Sequence, residues 1–309
     1  MKNKMTLRFA ALIFSSALYI QTCPAQLALT GTNYLQNFDG LDAGLPSGWL
    51  VCTNAHATNA GTALVFAATH TSWGVLSGQF ENSAGTGNAG TNLLGIESAP
   101  MQGNVANRAL AVRQTANFGD PGAAFICNIT NTLGRVNFQL SLDFLMLNVQ
   151  LHSTVWTLDY AIGDNPTDFI PLATYTDSGV FGATHANLAF GAALDNQSSN
   201  VWIRIAALSA STGSSGYRDT FGVDNFSLSW SNVVAPPVIT GIVLTNGSAQ
   251  IYFTGGANDT ASSFLLQTAG ETCGAFCDTA AVINQLGSTQ FDAVCDTAGG
   301  QQFFRVKHQ

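Results

Sequence analysis

The chain has little charge. Only 9% of its 309 residues are Asp, Glu, Lys or Arg, and the formal net charge is −8. Typical soluble proteins carry about a quarter charged residues. Nucleic acids and anionic membrane surfaces bind through clustered cations, whereas the Lys and Arg residues here are scattered along the chain. We therefore expect neither nucleic acid nor a membrane surface as a partner.

Long apolar runs are missing after residue 25. Before it, a basic start from Lys2 to Arg8 precedes an uncharged apolar stretch over 9–20. Cys23-Pro24-Ala25 then offers small residues before Gln26. This order is typical of a secretory signal peptide. The sequence predicts that residues 1–25 are removed near Ala25-Gln26, and that the protein is secreted or held at the cell surface without a membrane span.

Signatures of hydrolytic enzymes are also missing. The three glutamates, Glu81, Glu97 and Glu271, lie in no catalytic-looking strand motif, although a glycoside hydrolase needs two facing carboxyl groups. There is no Gly-x-Ser-x-Gly and no His-Glu-x-x-His sequence. We expect a non-catalytic protein, with a glycoside hydrolase that uses aspartates as the alternative.

Five cysteines follow the predicted signal peptide: Cys52, Cys127, Cys273, Cys277 and Cys295. Cysteines of exported proteins usually form disulfides. Cys52 could pair with Cys127, and Cys295 with either Cys273 or Cys277. One cysteine is left over, as a free thiol or for a bond between molecules.

Period-two alternation predicts β-strands with one buried face. One face of the clearest strand carries Val136, Phe138, Leu140, Leu142, Phe144 and Met146, and the other carries Asn137, Gln139, Ser141 and Asp143. Similar alternation runs over 156–162 and 201–205, with turn residues between the runs. Only short segments such as Ala183 to Leu194 could hold a helical turn. The fold class is therefore all-β, with a two-sheet jelly-roll sandwich.

Two short sequence motifs mark the ends of this predicted sandwich. They are Asn37-Phe38-Asp39 near its start and residues 221–230 near its end. We predict that the first and last strands lie side by side. Phe221 and Val223 have the opposite parity to Phe226, so a β-bulge at Asp224-Asn225 is needed to turn both sets inward.

The predicted domains are a jelly-roll over 26–232, a linker over 233–237 and a small β-domain over 238–309. Ala235-Pro236-Pro237 is a stiff break. Beyond it, Ile239 to Phe253 reads as a hairpin around Asn246-Gly247. Runs at Phe264 to Gln267 and Phe303 to Val306 complete the small domain.

The stretch from Phe38 to Trp230 resembles exported bacterial jelly-roll modules related to MAM and cleaved-adhesin domains. The likeness rests on Asn37-Phe38-Asp39, Gly48-Trp49, 201–205 and 222–226. The tail is similar to fibronectin type III-like (immunoglobulin-type) modules of Verrucomicrobia-type secreted proteins. The resemblance implies adhesion, glycan binding or a structural role, because such sandwiches host all three.

The resemblance also implies a structural Ca²⁺ between the first and last strands. Asp39 and Asp224 are the expected ligands, with Asp42 and Asn225 nearby in sequence. Carboxylate and amide oxygens are what Ca²⁺ prefers. The alternative is that Asp39 and Asp224 accept hydrogen bonds from turn amides.

Glycan binding would use aromatic faces beside polar groups. Trp202 is out of phase with its buried neighbours and shares a face with Arg204, while Trp73 and Tyr217 lie in loop-like surroundings. These four are the predicted ligand-binding residues, unless a loop or the second domain covers Trp202. The remaining tryptophans, Trp49, Trp156 and Trp230, are predicted to lie in the core.

The sequence thus predicts an exported, non-catalytic adhesion or ligand-binding protein whose partner is an extracellular glycan or surface protein. One alternative is a self-assembling coat, matrix or fibre protein, joined through a strand edge or the unpaired cysteine. Another is a carbohydrate-binding module or weak glycan-active enzyme.

Overall fold

A computed structural model describes residues 26–86, 99–234, 236–245, 247–256, 259–271, 274–297 and 300–309. The predicted all-β class is confirmed: the described chain is built from antiparallel sheets with one short α-helix, Ala99–Gly103, and two 3-10 turns, Leu41–Ala43 and Ala261–Ser263. No helix in these ranges is long and apolar enough to span a bilayer. The predicted signal peptide lies outside the described residues.

The chain divides into two compact units. The larger unit ends at Trp230, and the smaller unit, which begins at Ser231, also takes in Gly134–Val136. The first fourteen described strands are β1 (Asn33–Gln36), β2 (Trp49–Thr53), β3 (Thr62–Ala63), β4 (Gln79–Ala84), β5 (Arg108–Arg113), β6 (Ala124–Ile129), β7 (Arg135–Asn148), β8 (His152–Ser153), β9 (Val155–Ile162), β10 (Ile170–Thr176), β11 (Gly182–Ala189), β12 (Val201–Ala206), β13 (Thr212–Gly213) and β14 (Thr220–Asn232).

Two six-stranded sheets form the larger unit. Sheet 1 has the order β10-β9-β12-β6-β2-β3, and sheet 2 has the order β11-β7-β14-β5-β4, with β1 also paired to β14. Their facing sides share one apolar core, in which Phe125 of sheet 1 contacts Phe80 of sheet 2 at 5.7 Å between ring centroids. Trp49, Trp156 and Trp230 are buried in this core, as predicted.

The first and last strands pair as predicted. β1 lies antiparallel to β14, with Gln36 opposite Phe226. Asn225 has a positive φ of 49°, a left-handed conformation that changes the phase of the strand. Because of this irregularity Phe221 and Phe226, which have opposite parity, are both buried in the core.

The helical turn suggested within Ala183 to Leu194 is wrong for most of that segment. Residues 182–189 form β11, which pairs with β7 at the edge of sheet 2. Ala186 points into the core, while the residues on either side of it are exposed. The segment is therefore an edge strand, and its short side chains concealed the alternation.

The predicted Cys52–Cys127 disulfide is wrong, and the described cysteines Cys52, Cys127, Cys277 and Cys295 are all free. β2 and β6 pair with Trp49 opposite Cys127 and with Cys52 opposite Ala124. Cys52 is thus three positions from Cys127 along the pair and packs on the other face of sheet 1. Cβ vectors on opposite faces cannot be bridged. Cys273 lies outside the described residues.

The smaller unit contains β15 (Val238–Thr245), β16 (Ser248–Thr254), β17 (Phe264–Ala269), β18 (Cys277–Asp278), β19 (Val282–Gln285), β20 (Gln290–Asp296) and β21 (Phe303–His308). They form sheets of order β15-β16-β20-β19 and β18-β17-β21. The predicted hairpin is confirmed as β15 and β16, although Asn246 of its turn lies outside the described residues. The aromatic core of the smaller unit is formed by Phe253, Phe264 and Phe291.

Candidate functional site

A groove of about 340 Å³ opens where β1 meets β14. It is lined by Leu35, Gln36, Asn37, Asn225 and Phe226. Leu35 has an exposed side chain, and three of the other lining residues offer amide groups. The groove exists because β1 ends here and because the left-handed Asn225 interrupts the pairing along β14.

Carboxylates surround this groove. Asn225 Nδ2 donates a hydrogen bond of 2.8 Å to Asp143 Oδ2, which ties the groove to β7. Asp39 follows Asn37, whose Nδ2 lies 2.6 Å from Asp39 Oδ2. The backbone N–H of Arg108 donates to Asp39 Oδ1 at 2.8 Å, so this carboxylate caps the start of β5. The site therefore offers acidic hydrogen-bond acceptors and neutral amides.

Asp224 is buried beside these groups. Burial, together with the negative charges of Asp39 and Asp143, raises its pKa to about 7, while the N–H of Asn225 opposes the shift. The structure thus brings Asp39 close to Asp224, as predicted. A proton or a cation would relieve the repulsion between these carboxylates.

The residues around Asp224 provide a partial fit for a hard cation. Within the described ranges, Asn107 Oδ1 is buried without a hydrogen-bond partner. A Cβ at residue 85 would lie 2.1 Å from that oxygen and 3.2 Å from Asp224 Oδ2, so only glycine fits beside the two oxygens. The Asn107 side chain also makes a hydrogen bond with Asp224, which opposes the rise in its pKa. No group of three or more His, Cys, Asp or Glu side chains arranged to hold a metal is found among the described residues. Any cation would rely on amide as well as carboxylate oxygens.

Asp42, the third predicted calcium ligand, does not line this site and contacts His70 and Asn82 instead. Its Oδ1 accepts hydrogen bonds from His70 Nε2 and Asn82 Nδ2, each at 2.7 Å. These contacts, led by the one from His70, lower the pKa of Asp42. Asp42 is therefore engaged with β4, and it reaches Asp39 only indirectly, through Asn82 and Arg108.

The predicted pair Trp202 and Arg204 does not form a ligand surface. Arg204 is fully buried, binds Asp159 through Nε at 2.9 Å and Nη2 at 2.7 Å, and donates to the carbonyl of His56. Trp202 is half-buried, and its Nε1 donates to the carbonyl of Gly163 at 2.8 Å. Arg204 is wrongly predicted as a ligand contact because the loop around His56 covers this face of sheet 1.

Trp73 is buried as well, so its prediction as an exposed ligand contact is wrong. Its Nε1 donates to the Ala84 carbonyl at 3.2 Å, and it packs against Phe181 on the outer face of sheet 2. Tyr217 alone of the four is clearly exposed, at 56%, with the Arg113 guanidinium 5.8 Å from its ring centroid. Of the four predicted contacts, Trp202 and Arg204 lie in β12 of sheet 1, whereas Trp73 and Tyr217 lie in loops.

No protein-family model matches the chain, and no curated protein matches it. Among solved structures it is similar to the CBM22-1 xylan-binding domain of Paenibacillus barcinonensis, at 10% identity over 65% of this chain and 94% of that chain, with a TM-score of 0.34. A cleaved adhesin domain of Lys-gingipain from Porphyromonas gingivalis matches at 11% identity over 65% of this chain and 100% of that chain, with a TM-score of 0.36.

A third similarity is to the CBM22-1–GH10 modules of an endo-1,4-β-D-xylanase from Clostridium thermocellum. The identity is 12%, over 70% of this chain and 29% of that chain, with a TM-score of 0.32. This chain therefore spans less than a third of that xylanase structure. At such identities and TM-scores these similarities assign no ligand or activity to this chain.

Proposed function

We propose that this chain is an exported binding protein that holds neutral glycans in the groove between β1 and β14. The observation that carries this proposal is the lining of the groove, in which the exposed Leu35 lies among the amides of Gln36, Asn37 and Asn225. A sugar ring presents an apolar face and a rim of hydroxyls. Apolar contact with a few placed polar groups is how pockets recognise such ligands.

Charge favours a neutral ligand. Among the described residues no cationic side chain lines the groove, and Asp39 and Asp143 flank it. Sugar hydroxyls can donate to such carboxylates in charge-assisted hydrogen bonds. An acidic polysaccharide would meet like charge and lose affinity.

Retention of residues 26–309 on insoluble neutral polysaccharides, with acidic polysaccharides in parallel, tests this proposal. We expect Leu35→Ser and Gln36→Ala each to weaken binding about tenfold or more, because each removes one contact with the sugar. A tenfold loss of affinity corresponds to about 1.4 kcal/mol. Val65→Ser, at a fully exposed apolar position, is the matched control and should bind as the parent does. Equal binding by all variants, or retention on none of the polysaccharides, would overturn the proposal.

The glycosidase alternative has weak support from the carboxyl groups. Glu81 is fully buried in the larger unit, Glu271 belongs to the smaller unit, and Glu97 lies outside the described residues. A glycosidase needs two carboxyl groups that both reach the scissile bond. The buried Glu81 cannot serve in such a pair, and the alternative that uses aspartates stays a prediction.

We further propose that Ca²⁺ stabilises the junction of β1 and β14, held by Asp224 and the Asn107 amide oxygen, with Asp39 adding negative charge. What supports it is the Asn107 side chain, which makes a hydrogen bond with Asp224 while its buried Oδ1 has no partner, beside a carboxyl of raised pKa. Thermal unfolding with Ca²⁺ and with EDTA is the test. We expect Ca²⁺ to raise Tm of the parent and to leave Asp224→Asn unchanged, whereas Asp42→Asn should respond like the parent. An equal response in Asp224→Asn, or no response in the parent, would contradict it.

Self-assembly is a second candidate, favoured by β15. This strand lies at the edge of its sheet and exposes Ile242, Val243 and Leu244 in succession. Exposed apolar edge strands pair with other chains. Gel filtration should then show multimers that Val243→Lys reduces to monomers. A parent that elutes as a monomer at high concentration would refute it.

A further inference from the structure

Three side chains on the solvent face of sheet 2 form a chain of hydrogen bonds. His185 Nδ1 lies 2.7 Å from Asp143 Oδ1, and His185 Nε2 lies 3.4 Å from Ser141 Oγ. The order is that of nucleophile, base and orienting carboxylate, which is recognised by geometry and not by sequence position. The Ser–His distance is slightly long, as is common for catalytic hydrogen bonds without substrate.

The strand register builds this arrangement. β7 and β11 pair with His185 opposite Asp143 and with Asn187 opposite Ser141. Cross-strand partners share a face of the sheet, so the four side chains form one patch. On the opposite face Leu140 and Leu142 are buried in the core, which holds β7 in place.

The contact with Asp143 favours the neutral imidazole tautomer that has its hydrogen on Nδ1. An ionised carboxylate only accepts hydrogen bonds, so the His185 nitrogen that faces Asp143 carries the hydrogen. The lone pair on Nε2 is then directed to the hydroxyl of Ser141. Asn225 Nδ2 donates to the other oxygen of Asp143 and holds that carboxylate in orientation. This is the tautomer that a general base requires.

We propose that Ser141 is a nucleophile toward small carboxylic esters, with His185 as its general base and Asp143 as a positioning residue. The side-chain amide of Asn187, which shares the solvent face with Ser141 because the two residues are opposite in the register, is the proposed donor for the oxyanion. This activity goes beyond glycan binding and does not depend on it. It also departs from the sequence-based expectation of a non-catalytic chain.

The reaction needs only ester and water. Ser141 Oγ attacks the ester carbonyl carbon while its proton moves to His185 Nε2. The bond from carbon to the leaving oxygen breaks, the alcohol departs with the proton from Nε2, and the acyl group remains on Ser141. Water then attacks this acyl ester, gives a proton to Nε2, and releases the carboxylic acid as Ser141 regains its proton.

The exposure of the site sets the substrate class. The His185 side chain is 54% exposed and that of Asp143 is 19% exposed. An open sheet face offers little apolar contact to a long acyl chain, so acetyl esters are the favoured class. Water around the imidazole weakens the electrostatic contribution, and turnover should be slow.

Covalent labelling of residues 26–309 with a fluorophosphonate, mapped by mass spectrometry, is the primary test, and hydrolysis of 4-nitrophenyl acetate is the second. We expect the label on Ser141, its loss in Ser141→Ala, and a labelling rate at least about tenfold lower in His185→Gln. Ser227→Ala, on the neighbouring strand β14, is the matched control and should label as the parent does.

Steady-state kinetics tests the roles of the positioning residue Asp143 and of the oxyanion donor Asn187. Asp143→Asn and Asn187→Ala should lower kcat for the acetate ester and leave KM nearly unchanged, because both act on the transition state. Ser141→Ala should still be retained on polysaccharide, which separates this proposal from the binding proposal. No label on Ser141, or equal labelling of the parent and His185→Gln, would overturn it.

Discussion

Trp156 and Phe221 stack across the two sheets of the larger unit, with ring centroids 4.2 Å apart and an angle of 11° between the planes. Trp156 comes from β9 and Phe221 from β14, so one aromatic pair joins the sheets at the centre of the sandwich. Phe125 and Phe144 contact the same pair from either sheet. The core is therefore held by rings that reach across from both sides.

Removing one ring of the Trp156–Phe221 stack should destabilise the larger unit. We expect Phe221→Ala to lower the free energy of unfolding by about 3–5 kcal/mol, because it removes a buried ring and leaves a cavity. Urea unfolding followed by tryptophan fluorescence measures this. Val65→Ala, at an almost fully exposed position, should change the value by less than about 0.5 kcal/mol. Equal losses in the two variants would show that Phe221 is not in the core.

The buried pair of Arg204 and Asp159 provides a second prediction. Removing one partner leaves a buried charge without its counter-ion, so Arg204→Met should destabilise the larger unit by about 3–5 kcal/mol. The double variant Arg204→Met with Asp159→Leu should lose less than the sum of the two single variants. Denaturant titration of the four proteins gives the coupling energy. Additive losses would mean that Arg204 and Asp159 do not interact as the geometry indicates.

The architecture was predictable where one face of a strand is clearly apolar. The alternation from Phe138 to Phe144 fixed β7, and the opposite parity of Phe221 and Phe226 revealed the irregularity in β14. Both signals are local, because a strand in a sandwich must keep its apolar side chains inward. The sequence alone was thus enough for the class, the main strands and the pairing of β1 with β14.

The side-chain contacts depended on register, which a single sequence does not contain. Cys52 and Cys127 both lie in strands, and only the pairing of β2 with β6 places them on opposite faces. Trp73 lies in a loop, as the sequence indicated, but this loop places its ring over the small side chains Ala109 and Ala111 on the outer face of sheet 2. The sequence did not indicate His185 as a partner of Asp143, because its segment showed no clear alternation and was expected at most to hold a helical turn.

Thiol accessibility provides a third prediction. In a Cys273→Ser background, Ellman's reagent should modify the exposed Cys277 in the native protein, whereas Cys52, Cys127 and Cys295 are buried. Burial raises the pKa of Cys52 to about 12, so it is also a poor nucleophile. All four described cysteines should react after denaturation without a reductant. A lower number of reactive thiols would indicate a disulfide and contradict the free thiols of the structure.

The dependence of stability on pH is set by buried carboxyl groups. Burial raises the pKa of Glu81 from 4.5 to about 8, against smaller opposing effects of Ser83 and Arg113. The folded protein therefore binds this proton more tightly than the unfolded chain does. The resulting stability is fully present below the unfolded pKa near 4.5 and is lost as the pH rises to about 8. Asp224, with a pKa of about 7, acts in the same direction.

We therefore expect Tm of the parent to fall between pH 5 and pH 8.5 in low-salt buffer containing EDTA. Glu81→Gln keeps the size of the side chain without a titrating proton, so its Tm should fall less over the same range. Glu271→Gln, the same substitution in the smaller unit, should follow the parent. A parent Tm that rises with pH, or identical slopes in the parent and Glu81→Gln, would show that Glu81 does not titrate from a buried position.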